Sequence, residues 1–211
     1  MTQSLFTTRA SVVPARHRRN VARRALPSLP FLTKKKASTA LSDVLDAIEG
    51  TDRGLATTKE QRKQIEDAVQ QLYDEAQGKK TNGKDLSATW KLLWTSEKET
   101  LWILKNAGLF GTEAGEVYQV IDMANGSLNN VITFPPEGAF TVDSSVAAKD
   151  DVRVEFKFSG ARVRTPGRTL PLPPFGQGWF DNIYLDGKYR VAKDSRGDIL
   201  VTVRDGPPRE L

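Results

Sequence analysis

The chain has 211 residues, with 31 basic against 26 acidic side chains (net charge +5), four Trp, no Cys and one His, His17. Without Cys there is no disulfide, thiolate nucleophile or Cys metal site. Beyond position 17 there is no His either, so Ser-His-Asp and Cys-His catalysis and the usual zinc sites lack their residues, and no stretch reaches the ~18 apolar residues of a membrane-spanning helix.

Residues 1–37 hold nine of the basic side chains, including the run RHRRNVARR (16–24), and no acid; the first is Asp43. Arg-rich, hydroxyl-rich and acid-poor, this is the composition of an organelle transit peptide. The stretch LPSLPFL is too short and Pro-broken for a secretory core. A basic nucleic-acid arm is the competing reading. It would carry aromatics for stacking, and the basic run has none. Residues 1–37 are therefore expected to be disordered and removed. The remainder carries 22 basic and 26 acidic residues, net −4, and forms one domain of ordinary size. A helical segment is expected over 38–80 and a β-domain over 81–211.

LSDVLDAIE (41–49) places Leu41, Val44, Leu45 and Ile48 at helical spacing, with Gly50 as a stop. The next helix opens with Thr57 and Glu60 in capping-box relation. Ile65, Val69, Leu72, Tyr73 and Ala76 mark its apolar face, and Gly78 ends it. From Trp90 the period becomes two. In TWKLLWTS, Trp90, Leu92 and Trp94 share parity and are expected to point inward, with Lys91 outward. VYQVIDMANGSLNNVITF reads as a hairpin about Asn125-Gly126. A two-residue turn sets Met123 against Leu128, Ile121 against Asn130, Gln119 against Ile132 and Val117 against Phe134, so one face carries six apolar residues and two amides. TFPPEGAFTV turns into another strand. VRVEFKFS (152–159) alternates Val152, Val154, Phe156 and Phe158 with Arg153, Glu155 and Lys157. FDNIYLDGKYRVAK is a second hairpin about Asp186-Gly187, and RGDILVTVR supplies a last strand. About eight strands in a meander, without βαβ alternation, form a barrel or a sandwich.

Little here carries catalytic chemistry. GLFGTEAGE (108–116) has no Lys and leads into a strand, so it reads as a loop and not a phosphate cradle. The acid pairs Asp150/Asp151 and Glu97/Glu99 read as solvated surface, and DSRGD (194–198) as a tight turn. The aromatics Trp90, Trp94, Phe134, Phe140, Phe156, Phe158, Phe180 and Tyr184 all fall in expected strands. An eight-stranded barrel is either just filled by side chains or just able to hold one small ligand, and the residues leave both open.

GTDRGL (50–55), TWKLLWTSEKE (89–99), NAGLFGTEAGEVYQVID (106–122), NNVITFPPEG (129–138) and LPLPPFGQGWFDNIYLDGKYRVAKDSRGDILV (170–201) together resemble the plastid-lipid-associated protein family, also called fibrillins, over residues 41–204. The resemblance implies a mainly β (α+β) fold, a lipocalin-like antiparallel barrel preceded by two N-terminal helices. It implies a non-enzymatic plastid protein at plastoglobules or thylakoids that binds or organises prenylquinones, carotenoids or acyl lipids. The alternative is a scaffold that docks onto plastid biosynthetic enzymes or photosynthetic complexes and carries no ligand. Lipocalin-like barrels often place a Gly-x-Trp on the first strand and an Arg on the last over the Trp. Here the first motif reads Ala88-Thr89-Trp90, and Arg190 and Arg204 both qualify as the Arg. On the lipid reading, the expected lining is Trp90, Trp94, Gln119, Ile121, Asn130, Ile132, Phe134, Phe156, Phe158 and Tyr184. The implied partner is an apolar lipid or a lipid-body surface, with peripheral membrane association. No metal, cofactor or catalytic residue is expected, only a bound lipid.

The charge balance is open to test. At net −4, residues 38–211 have no cationic excess with which to release counterions from a phosphate backbone. In a gel shift at about 150 mM salt they should not retard DNA or RNA at micromolar protein, and sub-micromolar affinity would overturn the expectation.

Overall fold

A computed structural model of the protein describes residues 39–173 and 176–211; the expected transit peptide lies outside the described residues. Two helices come first, α1 (Thr39–Ile48) and α2 (Lys59–Ala76). Strand β1 (Ala88–Thr95) is followed by a third helix, α3 (Lys98–Lys105). Then come β2 (Val117–Asp122), β3 (Ser127–Phe134), β4 (Gly138–Ala148), β5 (Arg153–Thr165), β6 (Arg168–Leu172), β7 (Gln177–Leu185), β8 (Tyr189–Asp194) and β9 (Ile199–Arg204). The described strands pair antiparallel throughout, in the order β4-β3-β2-β1-β9-β8-β7-β5-β6, and β4 also pairs with β5. Eight strands thus close into a barrel, and β6 forms a hairpin with the far part of β5. The lipocalin-like expectation holds.

The helix termini follow local chemistry. Gly50, at φ +70°, ends α1. The N-cap of α2 is Thr58, one residue later than expected. Its side chain accepts from the Gln61 amide while the Gln61 side chain accepts from Thr58 N, a complete capping box. Ile65, Ala68, Val69, Leu72 and Ala76 are buried, but Tyr73 is 43% exposed and lies off the apolar stripe. The GTDRGL loop fastens both helices to the barrel. Arg53 O accepts from Thr95 N at the end of β1, and Arg53 Nη1 donates to Gly115 O at 2.5 Å. Gly54 lies so close to β1 that a Cβ there would sit 2.3 Å from Thr95 O, at a φ of +115° that only Gly adopts freely.

The first hairpin differs from the two-residue turn expected, and the second, about Asp186-Gly187 as expected, has a turn of the same longer kind. Asp122 pairs with Ser127 and Leu185 with Arg190, leaving four-residue loops. The reason is an aspartate at the start of each. Asp122 Oδ1 accepts from Ala124 N and Asn125 N, and Asp186 Oδ1 from Lys188 N and Tyr189 N. Asp194 does the same for Arg196 N and Asp198 N, which makes DSRGD the turn expected. In the first hairpin the register moves by an even step, so the same residues keep the same face. Gln119 meets Asn130, and Val117 meets Ile132.

Two β-bulges reverse other expectations. Leu92 pairs with Thr202 but Trp94 pairs with Val201, so Leu93 is an extra residue and parity flips after it. Trp90 and Leu92 point inward, whereas Trp94 turns outward into a cluster with Leu41, Val44, Ile65, Leu72, Val191 and Val201, beneath α1 and α2. Its Nε1 donates to Thr57 Oγ1 at 3.0 Å. On β7, Asn182 pairs with Ala192 and Tyr184 with Val191, so Ile183 is extra and Tyr184 also faces outward. Helix α3 is the third difference: LWIL is apolar enough to pass for strand, yet Leu104 is buried and Trp102 is 54% exposed.

Trp94 therefore belongs to helix docking. Trp94→Ala should cost about 3–5 kcal/mol as a large-to-small core change. Trp94→Phe, which loses mainly the bond to Thr57, should cost about 1–2 kcal/mol. Urea denaturation measures both; a Trp94→Ala midpoint equal to that of the parent protein would reject the assignment.

Candidate lipid cavity

The inside of the barrel is divided in three. At one end Leu86, Ala88, Trp90, Ile121, Leu128, Val146, Val154 and Phe180 pack together. Near α3, Leu92, Leu104, Ala107, Val117, Ile132 and Phe134 form a second cluster. Between them lies a cavity of about 580 Å³, within the ~300–1,000 Å³ span of small-molecule sites. Its wall is mostly apolar, with Trp90, Leu92, Leu128, Ile132, Phe140 and Val142 on β1, β3 and β4, Phe156, Phe158 and Ala161 on β5, and Phe180 and Leu200 on β7 and β9. Phe156 lies 5.3 Å from Phe158 and 6.3 Å from Phe180, centroid to centroid. The barrel is hollow.

Of the ten residues expected to line a ligand site, Trp90, Gln119, Asn130, Ile132, Phe156 and Phe158 stand together in this wall. Ile121 and Phe134 point inward but are consumed by the end clusters. Trp94 and Tyr184 are outside the barrel, turned there by the bulges at Leu93 and Ile183.

The Arg over the tryptophan is Arg204. Its guanidinium carbon lies 4.6 Å from the Trp90 ring centroid. Arg204 pairs with Trp90 in register and donates to the carbonyls of Gly187, Ser87 and Asp85. The Trp90 indole donates to Leu86 O at 2.9 Å and is fully buried. Together they fix the short helical turn Lys84–Leu86 across the packed end. Ala88, where lipocalin-like barrels often have Gly, is fully buried in that same cluster.

Arg190 has a different place. It is 1% exposed, on β8, and lines the cavity. Nε donates to Asn182 Oδ1 and Nη1 to Gln119 Oε1, each at 2.6 Å. Its guanidinium carbon lies 4.8 Å from the Phe180 ring centroid. Gln119 Nε2 in turn donates to Asn130 Oδ1 at 2.9 Å. Burial pulls the guanidinium down from its ordinary value to about 9, so it remains cationic at neutral pH. Glu97, also on the cavity wall, opposes that drop at a distance and forms no ion pair with it. The sequence reads Glu97 as solvated surface. Instead it is partly buried at the start of α3, accepts from Thr100 Oγ1 at 2.9 Å, and is pushed up to about 7, chiefly by burial. Nothing in the sequence marks it, because only the unexpected helix α3 brings it to the cavity.

Comparison with known proteins agrees with this geometry. The PAP_fibrillin family model matches residues 38–203. The chain is 49% identical over 170 residues to the Probable plastid-lipid-associated protein 11, chloroplastic, of Arabidopsis thaliana, covering 80% of each. It is 26% identical to the Plastid-lipid-associated protein, chloroplastic, of Citrus unshiu, covering 78% of this chain and 67% of that one. It is 23% identical to the Chromoplast-specific carotenoid-associated protein C1, chromoplastic, of an Oncidium hybrid cultivar, covering 78% and 68%. No solved structure matches.

Glu97 carries the pH prediction of this site. A carboxyl whose pKa rises from 4.5 to about 7 on folding binds its proton more tightly in the folded state. The stability this contributes is full below about pH 4.5 and is lost as pH rises through about 7. Glu97→Gln keeps the acceptor for Thr100 and removes the ionisation. The urea midpoint of the parent protein should therefore fall, relative to Glu97→Gln, between pH 5 and pH 8; parallel midpoints across that range would reject the burial of Glu97.

Proposed function

The chain belongs to the PAP_fibrillin family, and on that premise we propose that it is a non-enzymatic plastid protein whose barrel carries a single apolar lipid. The observation that carries the reading is the hollow interior, a ~580 Å³ cavity walled by aromatic and aliphatic side chains. Removing an apolar chain from water into that wall is worth about 25 cal/mol per Å². The few polar groups inside would orient the ligand and contribute little affinity of their own. Plastid location is supported by the chloroplastic and chromoplastic names of the relatives, and an apolar cargo by the carotenoid-associated one.

The surroundings of the cavity suit exchange with a lipid surface. Thr100 and Ile103 of α3 line the cavity, and Trp102 between them stands half in solvent. Leu172 lines it from β6 and is itself exposed, as is Leu170 beside it. Among the described residues no helix is long and apolar enough to cross a membrane, so docking would be peripheral. The scaffold reading needs no cavity and has no observation of its own in its favour.

Trp90 provides the test, because its indole is fully buried and forms part of the cavity wall. A variant keeping Trp90 as its one indole (Trp94→Phe, Trp102→Phe, Trp179→Phe) should show saturable fluorescence quenching by a short-tailed prenylquinone. Organic extraction of the protein purified from plastids, followed by mass spectrometry, should release a stoichiometric lipid. Unsaturable quenching together with an empty extract would sink the carrier reading.

A further inference from the structure

The cavity wall carries charged side chains at α3 and at the β8–β9 turn (Glu97, Glu99, Asp194, Arg196 and Asp198) and, apart from these, a hydrogen-bonded line, Arg190–Gln119–Asn130, held from outside the wall by Asn182; that line has a direction. A guanidinium can only donate. Gln119 must therefore turn its oxygen toward Arg190, which leaves its Nε2 to donate to Asn130 Oδ1. Asn130 Oδ1 is thereby engaged, and its NH₂, unpaired among the described residues, is left to donate. Asn182 Oδ1 is likewise taken by Arg190, and its NH₂ donates to Asn82 Oδ1 at 2.7 Å. Each side-chain oxygen in the line already accepts one hydrogen bond from within it. Arg190 and Asn130 both line the cavity, and their Nη2 and Nδ2 are donors that make no hydrogen bond among the described residues.

The charge is unbalanced as well. Arg190 is almost fully buried, yet its partners are two neutral amides and the face of Phe180. No carboxylate lies within ion-pair distance of it among the described residues: of those in the cavity wall, Glu97 acts on it only from a distance, and Glu99, Asp194 and Asp198 pair with Arg196. A buried cation without a counter-ion costs several kcal/mol. A ligand that brings an anion into the cavity would recover part of that cost.

Resting on the lipid-carrier reading, we propose that Arg190 and Asn130 form a head-group site, and that the cavity selects a long-chain carboxylic acid over neutral lipids. The carboxylate accepts from Arg190 Nη2 and Asn130 Nδ2, beside Trp90 and Phe180. The tail runs along Phe156 and Phe158. A carboxylate fits better than a diphosphate, which would require more cations than the one Arg in this part of the wall. A quinone carbonyl could accept the same bonds, but it leaves the charge of Arg190 uncompensated.

The test compares three ligands on the full-length protein at pH 8 by isothermal titration: a long-chain fatty acid, its methyl ester, and a short-tailed prenylquinone. Charge-assisted hydrogen bonds should make the acid bind about 10–100-fold more tightly than the ester. Arg190→Met should bring the acid down to the affinity of the ester while leaving the ester unchanged. Asn130→Leu, which leaves Arg190 in place, should reduce acid affinity by a smaller factor. Equal affinity for acid and ester in the parent protein would overturn the head-group site and leave the carrier reading intact, as would tighter binding of the quinone. No binding of any of the three would overturn both. The comparison within the parent protein decides the matter even if Arg190→Met fails to fold.

Discussion

Everything inside this molecule depends on the pairing of β4 with β5. That ladder joins Ala139 through Ala148 to Arg164 through Val154 and closes the sheet on itself. Closure removes the exposed strand edges that would otherwise invite aggregation, and it converts strand parity into a fate. One side chain in two goes to the barrel interior and the next to the outer face. With eight strands the interior is only marginally wide enough for a ligand, so the sizes of the inward residues decide whether a void remains. Gln119, Asn130, Ala161 and Ala192 are too small or too polar to fill the middle as Trp90 and Phe134 fill the ends. The cavity is the space these residues leave.

Stability and cargo space are kept apart. The largest apolar cluster is on the outer face, where α1 and α2 cover Trp94, Ile183, Val191, Ile199 and Val201. Its burial owes nothing to whether the barrel is filled. A hollow interior forfeits dispersion contacts along its lining, and a domain with no other core could not tolerate that easily. The helices thus do more than precede the barrel: they supply a second core that permits the first to be incomplete. The GTDRGL loop keeps the two together through Arg53 and the close approach of Gly54 to Thr95.

The periodicity of apolar residues carries most of the fold, because alternation survives translation into a barrel wall. Val154, Phe156 and Phe158 face inward as their spacing requires, and the β2–β3 face is as expected although the turn is two residues longer than Asn125-Gly126 suggests. The departures in facing have one common cause, an extra residue. Leu93 and Ile183 are indistinguishable from their neighbours in type, yet each reverses the facing of the residues after it, and so Trp94 and Tyr184 leave the candidate site. The turns differ because the carboxylates that open the loops, Asp122 and Asp186, hold the backbone amides two and three residues on. Arg190 is legible in the sequence only as one of two arginines. Its separation from Arg204 is a matter of strand register, with Arg204 beside Trp90 and Arg190 beside Thr202, which composition does not contain.

Two arginines of similar promise thus end in opposite roles, and the difference is in what accepts their hydrogen bonds. Arg204 is directed to three backbone carbonyls, groups that are fixed in place and carry partial negative charge, and it closes the end of the barrel over Trp90. Arg190 is directed to two side-chain amides and lines the cavity, its Nη2 making no hydrogen bond among the described residues. A hydrophobic residue of similar volume could fill the place of Arg190 without the desolvation cost, as replacements of buried ion pairs show. Arg190 ties Asn182, Gln119 and the Phe180 face together, and an occupant with electrons to offer would give its charge a partner as well. The polar line and the void beside it are, on this view, one feature: the amides hold the guanidinium still, and the missing counter-ion defines the head group the cavity can accept.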